Sequence, residues 1–128
     1  MTNEEKKNAL EMYAIKMYNH FFMDGWKFNY FDSPDNICNV ARCFPNAKEI
    51  KISNIPVDCF TLQSLKDIFL HELTHAIVGF DHGHNGIFQK VCQLIGCKGN
   101  KTHNTYYIDY KTKLYFPRVP KNIKTIKT

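Results

Sequence analysis

The sequence predicts a small α+β fold, and two periodicities and their order along the chain carry that prediction. Apolar residues recur at helical spacing near residues 8–23, 62–79 and 86–95. Two shorter stretches, near 26–30 and 49–53, alternate apolar with polar as half-buried strands do. Helix, strands, then two further helices in sequence argue for segregated layers with a small mixed or antiparallel sheet. At 128 residues, 44% hydrophobic and 23% charged, the chain suits one globular domain with a modest core. Residues 1–104 read as that core, and 105–128 as a short hairpin and basic tail packed on it or extending from it.

The first helix is expected from Asn8 to Met23. Leu10, Tyr13, Ala14, Met17, Tyr18, Phe21 and Phe22 form its apolar stripe, and Gly25 ends it. Trp26, Phe28 and Tyr30 alternate with Lys27 and Asn29 in a first strand, and Asp32, Ser33, Pro34, Asp35 and Asn36 make a turn cluster. Ile50 and Ile52 alternate with Glu49, Lys51 and Ser53 in a second strand. Asn54 to Phe60, with Pro56 inside it, reads as a loop.

The next helix, from about Leu62 to Gly79, places Leu62, Leu65, Phe69, Leu73, Ala76, Ile77 and Phe80 on one side. His71 and His75 fall opposite, with Ser64, Ile68 and Val78, and are expected to face outward into a cleft. Gly83 and Gly86 then make a turn. A further amphipathic run carries Phe88, Val91, Cys92 and Ile95, with Gly96 suited to the position just past its end. Beyond it, residues 105–110 and 114–116 read as an aromatic hairpin turning at Lys111, Thr112 and Lys113.

The chemistry concentrates in His71-Glu72-Leu73-Thr74-His75, an H-E-x-x-H pattern on a helix. Residues i and i+4 stack on one face, so both imidazoles can grip one metal ion. Glu72 lies about 100° round from His71, beside the ion's open position and outside the ligand set. Two imidazoles, a nearby carboxylate base and room for a water are the parts of a zinc hydrolase. Catalytic zinc usually takes a third protein ligand. His84, at the entry of the following helix, is a candidate, with His82 and Asp81 as competitors.

Several blocks in order make the chain resemble the SprT-like (Spartan-type) zinc metalloproteases. Ala41-Arg42-Cys43-Phe44, followed by Lys48-Glu49-Ile50-Lys51-Ile52-Ser53, is similar to that family's strand segment. Leu65 to Leu70 leads into His71-Glu72-Leu73-Thr74-His75-Ala76 as the family's zinc helix does. His84 and Phe88 match its G-H-G-x-x-[WF] element, and Leu94-Ile95-Gly96 its closing L-G. The likeness spans about Trp26 to Gly96. It implies a zincin-like core with one catalytic zinc on His71, His75 and His84, and Glu72 as the base of an endopeptidase. It also implies protein substrates bound or crosslinked to DNA. Two departures stand out: Asn85 replaces the usual Gly, and the Cys-x-x-Cys pairs of the family's zinc ribbon are missing after Gly96.

Charge is unevenly spread. Residues 98–128 hold seven Lys and Arg118 against Asp109, a balance of +7, whereas the first 97 hold 9 basic and 11 acidic side chains. Lys111, Lys113, Arg118, Lys121 and Lys124, interleaved with Tyr106, Tyr107, Tyr110, Tyr115 and Phe116, suit phosphate contacts and stacking on unpaired bases. DNA, especially single-stranded, is therefore an expected partner.

The polar N-terminal residues 1–7 lack an apolar signal core behind them, and the apolar runs fall short of a membrane span. The expected location is cytoplasmic or nuclear. The five cysteines, Cys38, Cys43, Cys59, Cys92 and Cys97, are accordingly expected to be reduced, buried thiols.

Two other functional classes fit parts of the sequence. Gly79-Phe80-Asp81-His82 is similar to the G-Y-D-H of the YbeY-type endoribonucleases, although Glu72 stands where that family has Gly. A catalytically silent zinc module that recruits a partner would use the same histidines without needing Glu72 as a base.

Overall fold

A computed structural model of the chain describes residues 1–32, 37–39, 41–79, 86–97, 107–109 and 115–116. The described elements run α1 (Asn3–His20), β1 (Lys27–Phe31), β2 (Ile37–Asn39), β3 (Ala41–Phe44), a 3-10 turn (Pro45–Ala47), β4 (Glu49–Ser53), α2 (Asn54–Cys59), α3 (Leu62–Val78), α4 (Gly86–Leu94), β5 (Tyr107–Asp109) and β6 (Tyr115–Phe116). The class is α+β, as expected.

One sheet has the order β1-β4-β3 and is mixed. β1 runs parallel to β4, with Phe28 opposite Ile50 and Tyr30 opposite Ile52; β3 runs antiparallel, with Ala41 opposite Ile52 and Cys43 opposite Ile50. The strand period of two puts these six side chains on one face, and all six belong to or pack against the core. β2, β5 and β6 form a second sheet: Cys38 pairs with Ile108, and Ile108 with Tyr115, both antiparallel.

α1 begins at Asn3, five residues before the start that its apolar stripe predicts. Thr2 accepts from the Glu5 amide and the Glu5 carboxylate accepts from the Thr2 amide, a capping box that satisfies two orphan donors. Leu10, Ala14 and Tyr18 are its buried positions. The helix ends at His20, upstream of Gly25, with Phe21 as its cap; Phe22 N–H then donates to the Asn19 carbonyl and Met23 N–H to the Tyr18 carbonyl, with φ +56° at Phe22. That conformation turns the Phe22 ring out of the expected stripe, and the residue is 90% exposed.

The stretch from Asn54 to Cys59 is helical where a loop was expected. Pro56 lies in its first turn, where a missing N–H costs no helical hydrogen bond. The Lys6 ammonium donates to the carbonyls of Val57 at 2.8 Å and Phe60 at 3.1 Å, so a distant side chain ties down the end of this short helix. Asn3 Nδ2 adds a bond to Asp58 Oδ1 at 3.1 Å.

α4 ends at a glycine, as predicted. Gly96, at φ +97°, lets its own N–H reach the Gln93 carbonyl and the Cys97 N–H reach that of Cys92. This cap brings the residue after the glycine back onto the last turn, so Cys92 and Cys97 meet, with Cα atoms 5.0 Å apart. The C-terminal cap is what brings these two buried cysteines together. Cys43 remains a free thiol.

Candidate metal centre

α3 is held rigidly before it carries any chemistry. Thr61 caps its start by accepting from the Ser64 amide at 3.2 Å, and Gly79, at φ +86°, closes its end through an N–H bond to the His75 carbonyl at 2.8 Å. Phe69 is the anchor. Its fully buried ring lies edge-on to Tyr13, Tyr18 and Phe28, with centroids 6.1, 5.6 and 5.5 Å away, and so locks α3 to α1 and β1. Tyr18 and Tyr30 brace the same layers by donating to the Lys27 and Lys7 carbonyls.

The histidines do not face an open cleft. His71 is 0% exposed, Glu72 3% and His75 3%. α3 is buried through every position from Asp67 to His75, and Ile77, placed on the apolar side by its spacing, is 41% exposed. The reason is tertiary. The sheet covers one side of α3 and α4 folds back over another, with Cys97 Sγ 4.0 Å from the Asp67 carbonyl. Periodicity alone assigns a helix one buried side, whereas packing here gives this one two.

One ligand atom from each of His71, Glu72 and His75 lies within 4.8 Å of the others. The two imidazole centroids are 5.1 Å apart, as the one-turn spacing requires. Glu72 is held from the sheet: the Cys43 amide on edge strand β3 hydrogen-bonds its carboxyl group. Burial pushes this carboxyl up to about 8, against the lowering effects of that amide and of the Arg42 charge. Its Oε2 is buried with no hydrogen-bond partner among the described residues. Two imidazoles beside such an oxygen are the donor set a divalent transition-metal ion takes, so this buried group can hold a metal ion.

Of the residues expected from the sequence, His71, Glu72 and His75 come together. His84, His82 and Asp81 lie outside the described residues, as do Lys111, Lys113, Arg118, Lys121 and Lys124. Sequence reasoning missed the Cys43 amide, which no side-chain pattern could signal, because a backbone donor has no residue type. Among the described residues no helix is long and apolar enough to cross a membrane. In comparisons with protein-family models, curated proteins and solved structures, none matches the chain.

Proposed function

We propose that this chain is a zinc-dependent endopeptidase with a zincin-like core of the SprT-like type. The observation that carries the reading is the buried group of His71, Glu72 and His75, with a carboxyl oxygen left without a partner among the described residues. His71 and His75 hold the ion in this reading, and His84 is the third ligand that the family resemblance implies. When bound, zinc supplies Lewis acidity to the site. Glu72 acts as general base and then general acid: its Oε2 accepts a proton from the attacking water and delivers it to the leaving amine. The Cys43 amide orients Glu72 by holding its carboxyl group, and the apolar surroundings exclude bulk water.

The proposed substrates are proteins bound or crosslinked to DNA, with the eight basic side chains of residues 98–128 as the DNA contact and the 105–116 segment as an aromatic hairpin beside it.

Glu72→Gln tests the mechanism. The metal-replete variant keeps its zinc, because Glu72 is not a ligand in this reading, and loses cleavage of an unstructured protein by a factor of about 10² or more. Retained cleavage by that variant, or none by the zinc-loaded parent, overturns the reading. Replacing Lys111, Lys113, Arg118, Lys121 and Lys124 with Gln tests the partner. Zinc content and cleavage of a small peptide stay, while DNA affinity falls and the parent's salt dependence shows a log–log slope of about −3.

A further inference from the structure

Phe88 belongs to α4, yet its ring packs against both imidazoles of α3. Its centroid lies 4.8 Å from that of His71, with the planes at 57°, and 4.6 Å from that of His75, with the planes at 41°. The imidazoles themselves are 5.1 Å apart at 72°, so each of the three rings touches the other two. Phe88 is 0% exposed.

The final torsion of a histidine is soft, with a broad distribution rather than three sharp wells. A helix therefore fixes where the two Cβ atoms stand but not where the ring nitrogens point. Rotating either ring here drives its edge into Phe88 or into the other imidazole. Such a side chain does by packing what an outer hydrogen bond commonly does for a ligating histidine. α4 can deliver this because its far end is anchored separately, by buried Cys92 and by Cys97 beside the Asp67 carbonyl. Asp67 itself lies one turn before His71.

We propose that Phe88 is a positioning residue for the metal, holding the planes of both imidazoles so that the docking of α4 and the binding of the ion are coupled. The inference rests on the reading of His71 and His75 as metal ligands. Coupling is reciprocal: whatever α4 contributes to ion affinity, the ion returns to the docking of α4.

The probe is Co2+ titrated into the metal-free full-length chain, read by affinity, by the visible absorption spectrum and by the melting temperature with and without the ion. Phe88→Leu and Phe88→Met, the second of nearly the same volume but unbranched and more adaptable, are compared with Phe69→Leu, which removes an equally buried ring on the α1 and β1 side of the same helix. The Phe88 variants are expected to bind Co2+ about tenfold or more weakly, with an altered spectrum and a smaller ion-induced rise in melting temperature. Phe69→Leu is expected to lower the metal-free melting temperature while leaving affinity and spectrum as in the parent. Folded Phe88 variants with the parent's affinity and spectrum would overturn the proposal, as would Phe69→Leu weakening Co2+ to the same degree. A parent that takes up no Co2+ would instead overturn the metal reading beneath it.

Discussion

Phe22 stands where the cap of α1 demands a left-handed backbone, at φ +56°, and 90% of the residue is exposed. An L-residue in this region costs about 1–2 kcal/mol, which glycine avoids. Glycine in turn adds about 0.4–1 kcal/mol of unfolded-state entropy that folding must overcome. The ring offsets little of either, since burying a tenth of an aromatic of about 200 Å² contributes only about 0.5 kcal/mol. At the midpoints of these ranges Phe22→Gly is therefore expected to be about 0.3 kcal/mol more stable than the parent, a rise of roughly 1 °C in melting temperature for a domain of this size, and about 0.8 kcal/mol more stable than Phe22→Ala. Phe22→Ala is the control: it removes the ring but keeps the Cβ that makes the conformation costly, so its stability stays within about 0.5 kcal/mol of the parent. Urea denaturation of the three proteins, analysed at common slope, measures the differences. If Phe22→Gly is no more stable than Phe22→Ala, the strain at this cap has been misjudged.

Lys6→Met keeps the side chain's apolar stem but removes the ammonium that bonds the Val57 and Phe60 carbonyls. It should cost about 1.5–3 kcal/mol, read by urea denaturation, and hydrogen exchange should rise first in α2. Burial pushes the Cys43 thiol up to about 12 from an ordinary 9. At pH 8 the folded protein then carries roughly a thousandfold less Cys43 thiolate than the unfolded chain, so alkylation mapped by mass spectrometry should be slow natively and fast in urea. The raised value has a stability sign as well. The contribution is fully present below about pH 9 and lost as pH rises through the folded-state value near 12, because the unfolded chain releases the proton first.

Placing the group of His71, Glu72 and His75 inside the fold has a mechanical consequence. Glu72 is brought within reach of two histidines by helix geometry, but its carboxyl is held by an amide from a strand nearly thirty residues earlier. α3, β3 and α4 therefore enter the site together, and a substitution in any of the three acts on it. This is why an aromatic on α4 and a backbone donor on β3 belong to the same description as the histidines.

The sequence by itself determined whatever depends on local backbone geometry. His71 and His75 share a face because four residues make about one helical turn, whatever surrounds them. Trp26–Tyr30 and Glu49–Ser53 alternate because strand side chains do, and the matching strands are β1 and β4. Gly96 marks the end of α4 because a positive φ is cheapest there. The start of α1 was equally legible in Thr2 and Glu5, a signal that an apolar stripe beginning later obscured. Tertiary structure alone decided the rest. Asn54–Cys59 is helical with its carbonyls tied down by Lys6, more than fifty residues away. Phe22 caps α1 in a conformation that its residue type disfavours. Above all, His71, Glu72 and His75 are buried instead of facing a cleft, because α4 returns over α3 and β3 lends Glu72 an amide. Periodicity fixes which residues of a helix share a side; what covers that side is set by segments distant in the chain, and no local pattern contains them.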